Sequence, residues 1–355
     1  MKITLLAGGV GAARLLRGLV RLVPAADLTV VVNTGDDEEF YGLAVSPDID
    51  TIVYTLAGLA PLERGWGIDG DTFRTRDELD RLAGPGWFAL GDRDLATHIQ
   101  RTRRLREGAS LSQVTAELAR ARSVDVRVLP MSDDRVRTIV VTDDGSLAFQ
   151  DYLVRQRAKP NVRAVRYRGA RTARPAPGVI DAIRRADRVI LAPSNPFVSL
   201  GPVLAVPGIR RAVAAARDRV VAVSPLIAGR AVKGPLAAML KSMGKRAGIE
   251  SIAALLRPFA ATLVVAPGDR SIKGAGKDAG EAASGIALVE HDILIVDPRR
   301  AEKLARFLVG PLSQQSDSPP ARRGRTKTAT LRATPQRRRA ARGAARPLQA
   351  RGTAR

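Results

Sequence analysis

Carboxylates cluster at two places in the first fifty residues. Asp36 and Asp37 follow a predicted buried strand, and Asp48 and Asp50 lie in the segment that opens the next helix. Carboxylates just beyond strand ends fall on the edge where open α/β sheets bind ligands. Two or three of them beside a phosphate would suit Mg²⁺, which takes oxygen ligands and bridges to substrate phosphates. Aspartates that cap a helix or lie in a solvated loop would give the same pattern.

A glycine loop precedes the first of these clusters. Gly8, Gly9 and Gly11 stand where a short apolar run ends and helical spacing begins. Free N–H groups and the helix dipole make such a junction an anion site, so the loop predicts either a phosphate cradle or a tight turn. It is not a Walker P-loop, because no Gly-Lys-Ser/Thr follows, and it lacks the full dinucleotide fingerprint.

Two further segments carry polar side chains at predicted element boundaries. Arg93 stands between Asp92 and Asp94 before a helix, where it could bind a phosphate or carboxylate with two hydrogen bonds or form a salt-bridged helix start. His98 would share a helix face with Asp94. Its proximity is the sole support for a role as general base.

Loops follow two later strands. The Pro193-Ser194-Asn195-Pro196 loop has hydroxyl and amide groups suited to a nucleotide base or phosphate at the sheet edge. The loop around Asp133 shares this polar character. Turn-forming residues in a purely structural loop would look the same.

The elements that must position these residues alternate between strand and helix. A strand, a glycine turn, a helix and a strand open the chain, which predicts a βαβ unit and a parallel sheet. Strands are predicted over 2–7, 28–32, 124–129, 138–142, 147–154, 189–192, 220–223, 262–266 and 293–296. Helices are predicted over 50–59, 71–82, 95–105, 111–120, 179–186, 209–216 and 298–308.

These predictions give an α/β fold with a Rossmann-like, mostly parallel sheet. A helical insertion of about 48–122 follows the second strand. We expect one domain over 1–312 and a disordered basic tail over 313–355, because the tail's composition cannot bury enough apolar surface.

Composition excludes several classes of protein. No cysteine is present, so disulfides, thiolate metal sites and a cysteine nucleophile are excluded. The sequence shows neither an apolar run long enough to span a membrane nor a signal peptide, and we predict a cytoplasmic protein. The net charge is +23, of which +11 lies in the tail. Aromatic residues make up only 4% and do not interleave with basic runs, which argues against a nucleic-acid partner.

Several of these strings, in this order, resemble the 2-phospho-L-lactate transferase family. The strings are Gly8–Gly11, Val32–Asp37, Ser46–Thr51, Arg64–Gly67, Leu90–His98, Leu129–Asp134 and Pro193–Pro196. The resemblance covers Met1 to about Pro235, is weaker to Gly310, and does not extend to the tail.

The resemblance implies a Mg²⁺-dependent transfer in the biosynthesis of coenzyme F420. A guanosine diphosphate ester of lactate or enolpyruvate gives its phospho-acid moiety to the deazaflavin Fo, releasing GMP. It implies contact of Asp50 and Arg93 with the acceptor, and a metal on Asp36, Asp37 and Asp50. Gly8, Gly9, Gly11, Ser194 and Asn195 would serve the nucleotide, and Asp133 would bind substrate.

Our hypothesis gives catalytic roles to Asp37, Asp50 and Arg93. The family also implies a homodimer.

Two other functions fit parts of the sequence. A related family of nucleotide-sugar-binding regulators, the gluconeogenesis factors, shares the glycine loop and the Asn-Pro loop but lacks the Leu90–His98 string. An NAD-dependent oxidoreductase fits less well, because Asn33 follows the second strand where an acidic ribose ligand is expected.

Overall fold

The computed structural model describes residues 1–82, 86–271 and 285–311. The predicted disordered tail, 313–355, lies outside the described residues. The strands are β1 (Ile3–Ala7), β2 (Leu28–Val32), β3 (Glu38–Phe40), β4 (Leu43–Val45), β5 (Arg127–Pro130), β6 (Arg137–Thr142), β7 (Gly145–Ala148), β8 (Val162–Arg168), β9 (Arg188–Leu191), β10 (Val220–Val223), β11 (Leu226–Ile227), β12 (Arg230–Ala231), β13 (Thr262–Val265) and β14 (Ala287–Glu290).

The helices flank these strands. They are α1 (Gly9–Leu19), α2 (Pro47–Leu56), α3 (Arg74–Arg81), α4 (Asp92–Arg106), α5 (Leu111–Ala121), α6 (Val179–Arg185), α7 (Leu200–Ala205), α8 (Pro207–Ala215), α9 (Leu236–Ser242), α10 (Ile249–Leu256) and α11 (Pro298–Val309). Within the described ranges, no helix is both long and apolar enough to cross a membrane.

The central sheet has seven strands in the order β14-β13-β10-β9-β1-β2-β5. All its neighbouring strands are parallel. The strand order reverses between β1 and β9, so the carboxyl ends of these two strands form the switch point at which such sheets bind ligands. The predicted Rossmann-like α/β fold is confirmed.

Both faces of this sheet are covered by helices, which is why its strands are mostly apolar. Leu5 points to the core formed with α1, α2 and α11. Leu6, its neighbour, points to the opposite core formed with α6 to α10. Alternate side chains of a strand face opposite sides, so an uninterrupted apolar run predicts this two-sided burial.

The predicted helical insertion is confirmed between β2 and β5, where α2 to α5 lie. Ser110 and Gln113 form a capping box at the start of α5. The β3–β4 hairpin lies between β2 and the start of this insertion. Phe40 on that hairpin stacks on Phe88, with ring centroids 3.7 Å apart.

Two strand predictions are wrong in part or whole. The strand predicted over 147–154 ends at Ala148, and a π-helical turn follows over Asp151–Arg155. Phe149 and Tyr152, both buried, are three residues apart, a spacing that suits a helical turn better than a strand.

The strand predicted over 293–296 does not form. The edge position beside β13 is taken by β14 instead. Ile293 and Ile295 are both buried, so they reproduce the alternation of a strand without pairing.

Candidate functional site

A cleft of about 520 Å³ lies at the carboxyl ends of β1 and β9. The loops after these two strands form one wall, and the insertion forms the other. Its lining includes the glycine loop, Pro193 to Asn195, and the acidic side chains of Asp36, Asp48, Asp50 and Asp94. The cleft therefore coincides with the switch point that the topology selects.

The glycine side of the cleft consists of Gly8, Gly9, Gly11, Pro193 and Ser194. The Ser194 hydroxyl donates to the Gly8 carbonyl at 2.7 Å and so ties the two loops together. A Cβ on Gly11 would lie 2.3 Å from the Pro193 carbonyl oxygen, closer than any real contact. Gly9 has φ +70°, in the left-handed region that favours glycine. Close packing at Gly11 and the positive φ of Gly9 are therefore sufficient reasons for glycine at these two positions.

Asp48 modifies the predicted phosphate cradle. Its carboxylate accepts from the Gly9 N–H at 2.8 Å and from the Asn33 amide at 2.9 Å. It therefore places a negative charge at the N-terminus of α1, where an incoming phosphate would otherwise bind. Asp48 thus joins the glycine loop and Asn33 in one hydrogen-bonded unit.

The carboxyl groups of Asp36, Asp37 and Asp48 are all deeply buried. Burial first, and the nearby charge of Asp48 next, raise the pKa of Asp36 well above its usual range. Burial raises the pKa of Asp37 to about 7, although the Ser46 hydroxyl donates to it at 2.8 Å. Burial likewise raises the pKa of Asp48 to about 6.

The acid side of the cleft consists of Asp50, Tyr54, Asp94, His98 and Arg101. Arg101 is only 1% exposed and donates to both carboxylate oxygens of Asp50, through Nη2 to Oδ1 and through Nη1 to Oδ2 at 3.1 Å. A buried ion pair of this kind holds its carboxylate in one orientation. The pair fixes the position of Asp50 relative to the cleft.

The ring of His98 links this pair to Asp94. Arg101 Nη1 lies 3.2 Å from His98 Nδ1, and a guanidinium can only donate, so Nδ1 accepts. The ring proton is then on Nε2, which lies 3.2 Å from Asp94 Oδ1. The Tyr54 hydroxyl also donates to Asp94, at 2.6 Å. Burial would raise the pKa of Asp94, but His98 and Tyr54 lower it below its usual value.

The acidic groups fit a divalent cation. Oδ1 of Asp36 and of Asp37 is buried and has no hydrogen-bond partner in the described structure. Bare carboxylate oxygens of this kind are the ligands that Mg²⁺ prefers. Among the described residues, one group of three acidic or histidine side chains has ligand atoms within 4.8 Å of one another, namely Asp50, Asp94 and His98.

The three predicted metal ligands differ in their access to the cleft. Asp36 and Asp50 line it, whereas Asp37 does not. The structure thus does not gather Asp36, Asp37 and Asp50 into one such compact group.

The other predicted site residues differ in whether they line the cleft. Ser194 and Asn195 line the cleft, and Asn195 Oδ1 accepts from the Phe197 N–H at 2.9 Å, which shapes its loop. Arg93 is exposed, does not line the cleft, and donates to the Asp69 carbonyl at 3.2 Å. Asp133 also lies outside the lining, and its carboxylate accepts from the backbone and hydroxyl of Ser112 at the start of α5.

Sequence reasoning did not assign four residues of this site: Asp48, Tyr54, His98 and Arg101. Asp48 and His98 are part of the strings that resemble the family. A helix cap explained Asp48 equally well, and His98 had only its proximity as support, so neither residue was given a role. The signal for Arg101 was its place three residues after His98 on a predicted helix, which puts both on one face. Nothing in the local pattern shows that this face is buried.

Aromatic and apolar side chains complete the cleft. Trp66, Trp87, Phe88 and Phe149 all line it. The Trp87 ring packs edge-on against Phe88, with centroids 5.7 Å apart. Large flat rings of this kind, next to a few buried charges, are typical of sites for ring-containing small molecules.

Comparisons with known proteins agree on the family. Residues 3–305 match the family model described as "2-phospho-L-lactate transferase CofD". The chain is 49% identical over 259 residues to the phosphoenolpyruvate transferase of Streptomyces griseus, covering 72% of this chain and 80% of that protein. It is 40% identical over 308 residues to the 2-phospho-L-lactate transferase of Methanopyrus kandleri, covering 86% and 96%.

Among solved structures, the fold is similar to a member of the UPF0052 family from Bacillus halodurans. That match has a TM-score of 0.54 and 17% identity, and it covers 87% of this chain and 98% of that one. At this identity the likeness concerns the fold alone. The family match across the chain, with relatives at 40% identity and above, shows that this chain belongs to the 2-phospho-L-lactate transferase family, phosphotransferases of coenzyme F420 biosynthesis.

Proposed function

We propose that the chain transfers the 2-phospholactate or phosphoenolpyruvate moiety from a guanosine diphosphate ester to the deazaflavin Fo. The products are GMP and coenzyme F420-0 or its dehydro form. The observation that carries this proposal is the cleft in which buried carboxylates adjoin the glycine loop, in a chain of this family. We also propose a cytoplasmic homodimer, and sedimentation velocity would test its stoichiometry.

The transfer requires positioning more than covalent help from the protein. The ribityl hydroxyl oxygen of Fo forms a bond to the phosphorus that carries the acid. The bond from that phosphorus to the oxygen of GMP breaks, and GMP leaves with the electron pair. The hydroxyl proton passes to an aspartate of the cleft. Asp48, with its pKa raised to about 6, and Asp50, held by Arg101, both line the cleft.

Mg²⁺ is the proposed cofactor, held by carboxylates of the predicted set Asp36, Asp37 and Asp50. When bound, it would neutralise charge on the diphosphate and the leaving GMP. The bare oxygens of Asp36 and Asp37 support this assignment. Asp37 does not line the cleft, and the Ser46 hydroxyl donates to its other oxygen.

The acceptor is proposed to bind on the acid side. Trp87 and Phe88 offer ring faces and edges to a deazaflavin, and Asp50 lies on the same wall. Arg93 is proposed to contact the acceptor too, which requires its side chain to leave the Asp69 carbonyl. Arg93→Gln should therefore raise the KM for Fo without changing the thermal midpoint. An unchanged KM would remove Arg93 from the site.

The assay that tests the function incubates the protein with Mg²⁺, Fo and each donor in turn. Mass spectrometry then follows GMP and the deazaflavin phosphodiester. The enolpyruvyl donor comes first, because the relative at 49% identity is named a phosphoenolpyruvate transferase. No product from the lactate, enolpyruvate or glycerate donor, together with tight binding of a uridine sugar nucleotide, would favour a regulator instead.

A further inference from the structure

Two cations line the glycine side of the cleft without an acidic partner. Arg14 follows the glycine loop on α1, and Lys233 lies in the loop before α9. Among the described residues, neither forms an ion pair with a carboxylate within 4.0 Å. By contrast, Arg101 on the opposite wall is fully paired with Asp50.

Backbone carbonyls hold both cations in place. Arg14 Nη2 donates to the Glu63 carbonyl at 2.9 Å, and Lys233 Nζ donates to the next carbonyl, that of Arg64, at 2.8 Å. Arg14 Nη1 makes a third such bond, to Ile295 at 3.3 Å. Adjacent acceptors therefore bring two positive groups to one place, although like charges repel.

The repulsion is visible in the properties of Lys233. Burial lowers its pKa, and the charge of Arg14 lowers it further. An anion placed between the two groups would relieve both costs, because it would pair with each cation. An arrangement that is unfavourable when empty and favourable with an anion is what a binding site for an anionic ligand needs.

The glycine loop offers fewer free donors than its sequence implies. Its Gly9 N–H is already used by the Asp48 carboxylate. Donors beyond the loop would therefore add to the binding of a phosphate on this side of the cleft. Arg14, one helical turn after Gly11, and Lys233 are cations on the same lining that can serve.

We propose that Arg14 and Lys233 together bind a phosphate of the guanosine nucleotide and so set the preference for nucleotide over nucleoside. The proposal rests on the proposed function, because it takes the nucleotide to be the ligand on the glycine side. It assigns different roles to the two sides of the cleft. Arg14 and Lys233 bind the donor phosphate, and the acid side around Asp50 faces the acceptor.

Calorimetric titration of GDP, GMP and guanosine at one fixed Mg²⁺ concentration tests it. Arg14→Gln and Lys233→Gln should each weaken GDP binding by about tenfold, and guanosine binding should stay unchanged. Arg14→Lys, which keeps the charge, should retain most of the affinity. Arg17→Gln, one turn further on the same helix and outside the cleft lining, and Lys241→Gln are the matched controls and should bind GDP normally.

Three results would overturn the proposal. They are normal GDP affinity in both glutamine variants, an equal loss for guanosine, and no GDP binding to the unmodified protein. The function and this inference fail separately. A protein that makes no F420 product but loses GDP affinity only in the two glutamine variants would refute the reaction and keep the phosphate site.

Discussion

The two sides of the cleft are stabilised by different kinds of interaction. On the glycine side, backbone atoms meet at distances that leave no room for a Cβ, as at Gly11 against Pro193. On the acid side, charged side chains are removed from water and satisfied by one another, as in the Asp50–Arg101 pair. The first side depends on volume and backbone shape, and the second depends on charge balance.

This difference predicts different responses to substitution. A volume change should disturb the glycine side, because its contacts are with backbone that moves little. A charge change should disturb the acid side, because removing one member of a buried pair leaves the other unpaired in a poorly hydrated site. Each side can therefore be broken separately.

Asp50→Ala should have the largest effect. Turnover should be lost, and the free energy of unfolding should fall by about 3–5 kcal/mol because Arg101 is left buried without its counterion. Urea unfolding and the mass-spectrometric assay measure the two losses.

The double variant Asp50→Ala with Arg101→Met separates stability from chemistry. It removes both charges, so much of the stability should return while turnover stays absent. Full stability in the single variant would contradict the importance of the pair. Near-normal turnover in the double variant would remove Asp50 from the reaction.

Gly11→Ala is the corresponding test of the glycine side. The added methyl group would overlap the Pro193 carbonyl, so we expect a loss of about 1–3 kcal/mol and reduced turnover as the two loops separate. Gly58→Ala is the control, because its Cβ would contact nothing while φ is +70°. It should cost about 1 kcal/mol through backbone strain and leave turnover intact. Equal turnover in both variants would contradict the close approach of the loops.

The two sides also differed in how far the sequence could predict them. The glycine turn, the parallel strands and the loop at Ser194 follow local rules of spacing, and topology then brings strand ends to one edge. Hence the sequence predicted that the glycine loop and the Ser194 loop lie at the same sheet edge, whereas their role in binding stays a prediction. Arg14, Lys233 and the contact of Asp48 were not predicted, since a helix-opening aspartate gives no sign that it will reach back to Gly9.

The acid side depends on tertiary contacts that local patterns do not encode. Arg101 lies on a helix rich in charged residues, which predicts exposure, yet packing of α4 against β4 buries it. Arg93 shows the opposite outcome: a distinctive local string predicted a site residue, and the structure places its side chain outside the cleft lining. Burial of a charge is decided by its partner, and that partner is fifty-one residues away in the chain.

The buried carboxyl group of Asp37 should make the free energy of unfolding depend on pH. The pKa of Asp37 rises from 3.8 to about 7 on folding, so the folded protein binds protons more tightly than the unfolded chain across this window. The free energy of unfolding should therefore fall as pH rises from about 4 to 7, by about 3 kcal/mol. Asp92, with its pKa lowered to about 2, has the opposite effect and acts only below pH 4.

Mg²⁺ provides a second test of these carboxyl groups, because a cation binds their ionised form. Adding Mg²⁺ should raise the thermal midpoint at pH 8 and have little effect at pH 5. Asp36→Asn should reduce this Mg²⁺ response. Equal stabilisation at both pH values would refute a carboxylate site, and stability that rises between pH 4 and 7 would contradict the burial of Asp37.

Asp133→Ala should have the smallest effect and marks the outer limit of the site. The Asp133 carboxylate accepts from the Ser112 N–H at 2.7 Å and its hydroxyl at 2.9 Å, so its loss should cost about 0.5–2 kcal/mol, as for a helix cap. The KM values and turnover should stay normal, because Asp133 does not line the cleft. Asp133→Asn is the matched control, since its amide oxygen keeps one acceptor and should restore part of the stability. A raised KM for donor or acceptor in Asp133→Ala, with the melting midpoint unchanged, would instead return Asp133 to the substrate-binding residues and extend the site to this loop.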